Sequence, residues 1–204
     1  MTDPRSGVVE APDEALVELA RGGDPEAREE LFRRGRDVAY RVAFRLLGNA
    51  EDAMDAVQDG FIKAFRHLDA FDGRSAFRTW LLRIVTNAAH DLGRRKGRRP
   101  ALRLADLDLD PDNPGGPGPS AIAPSVEHDP GRNLQLDDLR RAIDEALARL
   151  SPAIRESFVL FAEAGLSYKE IAEAQGIPIG TVMSRLHSAR QKLQAALEGI
   201  DELP

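Results

Sequence analysis

Between residues 100 and 133 the chain cannot build a packed core, and that stretch governs how the rest can fold. It holds seven of the 13 prolines, together with Gly115, Gly116, Gly118 and Gly131. Such a composition breaks helical hydrogen bonding and supplies too little apolar surface to offset the entropy of ordering. We read it as a flexible linker. The flanking segments, 13–99 and 134–199, are each the size of a small domain. Residues 1–12 lack periodicity and read as a disordered lead, and 200–204 as a tail. A flexible chain of the linker's length spans roughly 30 Å on average and at most about 110 Å. Tethered modules can therefore engage sites several tens of ångströms apart.

Both flanks carry helical pattern, and neither contains a convincing strand. Asp24-Pro25-Glu26 combines an N-cap, a proline suited to the first helical position and an acid in the first turn. Leu31, Val38, Val42, Leu46 and Leu47 follow at helical spacing. Gly48-Asn49 ends that helix, and Asn49 with Asp52 caps the next. A third helix is expected from Ser75, with Phe77, Leu81, Ile84, Val85 and Ala88 on one face and a basic run from Arg94 to Arg99 at its end. Beyond the linker, Leu136, Leu139, Ile143, Leu147 and Leu150 line one helix, and Ser151-Pro152 opens another containing Ile154, Phe158 and Phe161. The expected fold is all-α: two small helical domains joined by a Pro/Gly-rich linker.

The net charge is −6, which argues against nucleic-acid binding by charge alone. The balance is uneven along the chain. Residues 13–104 hold 18 Lys/Arg against 15 Asp/Glu, residues 105–133 one against six, and residues 134–204 eight against 11. Any affinity for DNA is then weak or borrowed from a partner. Cysteine is absent, which excludes disulfides, thiolate nucleophiles and cysteine-bound zinc. His67, His90, His128 and His187 are not at metal-ligand spacing, so no metal and no cofactor is expected. With no long apolar run and no signal-peptide core, a cytoplasmic protein without membrane insertion is expected.

The most diagnostic stretch runs from Leu166 to Val182. Ser167 and Glu170 form a capping box, Ala172 is small enough for a close crossing, and Gly176 stands where the chain turns sharply. Pro178 suits the start of the next helix, which buries Val182, Leu186, Ala189 and Leu193 and turns Met183, Ser184, His187, Ser188 and Gln191 outward. This is the layout of a DNA-reading helix-turn-helix; a plain helical hairpin with a solvated face is the alternative. Arg185 and Arg190 either reach phosphates or form structural ion pairs.

In the first domain, residues 61–80 interleave aromatic side chains with basic and small polar ones around Asp72-Gly73. Aromatic faces stack unpaired bases while cations follow the backbone, the chemistry of single-strand binding. Phe65, Phe77 and Trp80 read better as core, leaving the loop from Phe71 to Ser75 for direct contact.

Together these motifs resemble a known family. Gly48-Asn49-Ala50-Glu51-Asp52-Ala53, Phe61-Ile62-Lys63-Ala64-Phe65, the run Phe71 to Leu81, and Ile84-Val85-Thr86-Asn87 resemble region 2 of extracytoplasmic-function sigma factors. Gly165 to Tyr168, Gly180-Thr181-Val182 and Ser184-Arg185-Leu186-His187 resemble region 4 of the same family. The resemblance implies a promoter-specificity subunit of bacterial RNA polymerase. It implies docking on the polymerase clamp through Asp52, Asp55, Gln58 and Asp59, where a merely solvated acidic face is the alternative. It implies capture of minus-ten bases by Phe71, Asp72, Gly73, Arg74, Ser75 and Asn87, and contact with upstream phosphates through Arg94, Arg95, Lys96, Arg98 and Arg99. It implies minus-thirty-five readout by Thr181, Met183, Ser184, Arg185, His187, Ser188 and Arg190, with region 4 held near the polymerase flap. Core polymerase, promoter DNA and an anti-sigma factor are the implied partners. The linker acids Asp106, Asp108, Asp110 and Asp112 either imitate an RNA backbone or simply solvate the tether.

Met54 and Met183 depart from the family's pattern, which has an acid often at the first position and a base often at the second. A DNA-binding regulator independent of polymerase is the competing reading; the acidic second domain argues against it. An enzyme is not expected, since no Gly-rich phosphate loop, metal cluster or Ser/His/Asp arrangement is present.

Overall fold

The computed structural model describes residues 10–96 and 142–197. Residues 1–9 of the expected lead, the linker, the tail, Leu136, Leu139, Arg98 and Arg99 lie outside them. Every regular element among the described residues is helical. Helix α1 spans Asp13–Arg21 and α2 spans Pro25–Leu47. Asp24 caps α2 by accepting from the Glu26 and Ala27 amides, and Gly48 closes it at φ 77°, where a Cβ would be strained. Helix α3 spans Ala50–Arg66 behind the Asn49 cap, and a 3₁₀ turn follows at Leu68–Ala70. Helix α4 spans Phe77–Arg95. It begins two residues later than expected, because the first amides, Thr79 and Trp80, turn back to the Ala76 carbonyl and Ser75 supplies no cap.

In the second half, α5 covers residues 142–149, α6 Pro152–Ala162, α7 Tyr168–Gln175 and α8 Ile179–Leu197. Buried Arg155 terminates α5: its guanidinium donates to the Leu147 carbonyl at 2.6 Å, the Leu150 carbonyl at 3.3 Å, and the Ala148 carbonyl. A cation there satisfies carbonyls that a helix end leaves unpaired.

The first half is built around the crossing of α3 on α4, with α2 against both. Gly60 makes the approach possible. A Cβ there would meet Val85 Cγ2 at 2.7 Å and the Val85 Cα at 3.2 Å. Leu31, Val42, Leu81, Leu82 and Val85 are fully buried around this crossing.

The halves do not stand apart. Helix α7 rests on α4 and α6 on α2, so that one apolar cluster runs from Leu81 and Val85 through to Leu160, Ile171 and Leu186. Polar links frame the contact. Arg45 pairs with Asp144 and, at 2.9 Å, with Glu163, which Arg41 also approaches at 3.6 Å. Arg78 donates to the Ala164 carbonyl, Thr79 to Glu170 at 3.3 Å, and His90 Nε2 lies 3.0 Å from Glu156. Periodicity had located both halves and said nothing of this contact.

Candidate nucleic-acid and polymerase interface

The helix-turn-helix is built as its residues require. Ser167 Oγ accepts from the Glu170 amide while the Glu170 carboxylate accepts from the Ser167 amide, closing the capping box. The Ser167 hydroxyl, which donates to the Glu170 carboxylate at 2.6 Å, and then the Ser167 amide hold that carboxyl below its usual range, and Thr79 and Arg78 of the first half add to the effect. Gly176 turns the chain at φ 67°. The amides of Thr181 and Val182 then bond back to the Pro178 carbonyl, starting α8. Val182, Leu186 and Ala189 are fully buried and Leu193 nearly so. Met183, Ser184 and His187 are exposed, with Thr181 and Ser188 half-buried beside them. Met183, at 53% exposure, is a large apolar group held out in water.

Two expected phosphate contacts are otherwise engaged. Arg185 is buried, with Nη1 3.4 Å from Gln175 Oε1, an oxygen that also accepts from Ser157. One side of α8 must seal against α7, and position 185 falls on that side. Arg190 stays exposed but donates to the Tyr168 hydroxyl at 3.0 Å and lies over the Phe161 ring, 5.5 Å from its centre. Both find partners within the fold, a glutamine amide oxygen for Arg185 and a tyrosine hydroxyl and an aromatic ring for Arg190.

In the first half, Phe71 is buried rather than presented. Its ring packs on Phe77 at 5.9 Å and Trp80 at 5.2 Å. The apolar trio excludes water beneath the loop, and Phe71 roots the loop there. Asp72, Gly73 and Arg74 remain exposed, with Ser75 half-buried. Asp72 Oδ1 accepts from the Arg74 amide at 3.1 Å and Gly73 adopts φ 71°, so the loop is a self-bonded turn. That amide, with the Arg74 guanidinium, holds the Asp72 carboxyl below its ordinary range. Asn87 is exposed one helix away.

Helix α3 presents Asp55 and Gln58 to solvent, with Asp59 paired to Lys63 at 2.7 Å. Asp52 does not belong to that surface. It is buried, accepts from the Asn49 side-chain amide at 2.9 Å and pairs with Lys96. A carboxylate in a first turn is favoured by the helix dipole, and the arriving end of α4 covers it. Lys96 is thereby committed to the fold instead of reaching for phosphate. Arg94 pairs with Asp91, and Arg95 is exposed. Ile62, 48% exposed, escaped sequence reasoning as a member of this face, and Met54, noted there only as a departure from the family's pattern, is 63% exposed on the same helix. Their signal was apolar residues at i and i+8 on the polar side of an amphipathic helix.

Three exposed surfaces thus occur on one chain: an apolar-acidic face on α3, a self-bonded loop over an aromatic base, and the outward stripe of α8. Family models match along the same halves, Sigma-70 region 2 over residues 31–99 and Sigma-70 region 4 over residues 140–193. Across nearly its whole length the chain is also 32% identical to the RNA polymerase sigma-H factor of Pseudomonas aeruginosa, over 186 residues, 91% of this chain and 94% of that one. The chain belongs to the extracytoplasmic-function sigma factors of RNA polymerase.

Other members agree. The sigma-E factor of Escherichia coli is 35% identical over 183 residues, 89% of this chain and 92% of that one. SigE of Mycolicibacterium smegmatis is 38% identical over 166 residues, covering 81% of this chain and 60% of the longer relative. Among solved structures, the sigma factor resembles CnrH in complex with the cytosolic domain of CnrY, at TM-score 0.65 and 27% identity over 92% of this chain and 97% of that one. It likewise resembles RpoE in complex with the anti-sigma factor NepR from Bartonella quintana, at TM-score 0.62 and 27% identity over 83% and 96% of the two chains. No helix among the described residues of this sigma factor is long and apolar enough to cross a membrane.

Proposed function

We propose that this sigma factor directs core RNA polymerase to particular promoters and helps open them, its first domain (13–99) working as region 2 and its second (134–199) as region 4. The observation that carries the reading is the outward stripe of α8, where Met183, Ser184 and His187 are exposed on a helix whose other side is sealed. Thr181 and Ser188 flank that stripe. A helix presented this way fits the major groove, where a methionine favours a thymine methyl and hydroxyl or imidazole groups accept or donate to base edges. Asp55, Gln58 and Asp59, now joined by Met54 and Ile62, form the clamp-docking face; apolar anchors within a charged rim suit a steered protein partner. The loop Asp72–Ser75 and Asn87 meet the unpaired minus-ten strand. Arg95, with Arg94 and the basic residues 98 and 99, lies against upstream phosphates.

The chemistry of RNA synthesis belongs to the polymerase in this reading, and the sigma factor supplies recognition in the cytoplasm. The complex of RpoE with the anti-sigma factor NepR supports a comparable inhibitor for this chain. Run-off transcription from a genomic promoter library tests the proposal. With core polymerase, transcripts start at a limited set of positions sharing upstream and downstream motifs. Random starts, or equal promoter affinity of the chain with and without core, would refute it.

A further inference from the structure

Arg21, the last residue of α1, has no part in the motifs above, yet it is the side chain by which α1 holds the minus-ten loop. Its Nε donates to the Leu68 carbonyl at 3.2 Å and its Nη2 to the Phe71 carbonyl, 47 and 50 residues away along the chain. The third nitrogen pairs with Glu18. Leu68 and Phe71 bracket the 3₁₀ turn, so the guanidinium bridges both ends of the segment that launches Asp72, Gly73 and Arg74. A planar fork with donors at fixed separation can do this; a single ammonium cannot span two carbonyls in the same way.

Phe71 is consequently held twice, by its ring against Phe77 and Trp80 and by its carbonyl against Arg21. Beside this anchor lies a cleft of about 450 Å³ lined by Glu14, Glu18 and Arg21 from α1 and by Asp69, Asp72 and Gly73 from the loop. Carboxylates dominate its rim and the guanidinium is already engaged, so the cleft repels a phosphate and suits an uncharged base. Its shape depends on how far the loop stands from α1, which is the distance Arg21 sets.

We propose that Arg21 is a positioning residue for minus-ten recognition, fixing the loop so that one unpaired base is discriminated from the others. This rests on the loop's role as read above. Discrimination needs donors and acceptors placed to a few tenths of an ångström, whereas general strand affinity does not.

The test uses holoenzyme assembled from core polymerase and full-length wild-type, Arg21→Lys or Arg21→Ala chains. The probe is a fluorescent single-stranded oligonucleotide carrying the non-template minus-ten segment of a promoter found by run-off transcription, with each base varied in turn. Both variants should weaken binding of the preferred oligonucleotide by about tenfold and bring its preference over substituted bases close to one at a single position. Core association and upstream duplex binding should stay at wild-type values. Unchanged base preference in both variants overturns the inference. So does an equal loss of core, duplex and oligonucleotide binding, since that marks a general structural role, and Arg21→Lys guards against simple unfolding of the alanine variant. If wild-type holoenzyme does not bind the oligonucleotide, the loop's assigned role fails instead.

Discussion

Replacing Arg45 with glutamate measures how firmly the two halves of this sigma factor hold one another. Arg45 belongs to α2, yet its guanidinium meets Glu163 at 2.9 Å and also Asp144 on the other half. The side chains involved are between 23% and 34% exposed, so water screens them only in part. Each lost pair is worth about 0.5–1 kcal/mol at such a site, and the new carboxylate facing Glu163 and Asp144 adds roughly 1 kcal/mol of repulsion after screening. The total, roughly 2–3 kcal/mol, shifts the balance between docked and separated halves by about 30- to 150-fold. Absence of native cysteine allows a clean assay: label Asp37→Cys on the first half and Lys169→Cys on the second, and follow energy transfer between dyes. Transfer should fall on Arg45→Glu, and should fall in the wild-type chain as salt rises. A double-mutant cycle of Arg45→Ala with Glu163→Ala should give a coupling of about 0.5–1 kcal/mol. Unchanged transfer in the charge reversal, together with zero coupling, would refute the reasoning.

Gly60→Ala should destabilise the chain by about 1–3 kcal/mol through forced separation of α3 and α4, less what alanine gains in helix propensity. Gly93→Ala, whose Cβ would meet only Leu47 Cδ2 at 3.8 Å, should stabilise by about 0.5–1 kcal/mol; urea unfolding reads both, and equal shifts would contradict the packing argument. Arg33 and Arg34 bond to buried Glu30 and, against the opposing effect of burial, hold its pKa at about 2 instead of 4.5. Since the folded value is depressed, this stabilisation is complete above pH 4.5 and is lost as pH falls toward 2. Glu30→Gln should therefore flatten the acid limb of stability against pH, and an unaltered limb would count against it. Lys96→Met should lower the unfolding midpoint by removing the ammonium that pairs with buried Asp52. Arg95→Ala should instead leave the midpoint alone and reduce the salt slope of holoenzyme binding by about one. Met183→Ala should change the preferred upstream sequence, whereas Arg185→Ala should lower stability with that preference intact; selection from a randomised duplex pool distinguishes them.

Much of the local architecture was written in single residues. Asp24, Asn49 and Ser167 cap helices because a short polar side chain next to an orphan amide has few better options, and all three do so here. Val182, Leu186 and Ala189 reveal the buried side of α8 by period alone. The outward residues Met183, Ser184 and His187 follow as its complement.

Periodicity assigns a face to a residue and cannot say what arrives on that face from elsewhere in the chain. Asp52 reads as a solvated acid until the end of α4 brings Lys96 over it, 44 residues later. Phe71 reads as a loop residue until Phe77 and Trp80 close around it. Arginines show this most sharply: a long cationic side chain carries no mark of its destination. In this protein Arg155 closes a helix end, Arg185 fills a seam, Arg21 braces a loop and Arg45 ties the halves together. Sequence alone therefore determined most of the helices, the caps at Asp24, Asn49 and Ser167, the helix-turn-helix and the family. Only the tertiary structure decided which charges are spent inside the fold and which remain to meet DNA, because pairing depends on distance through space.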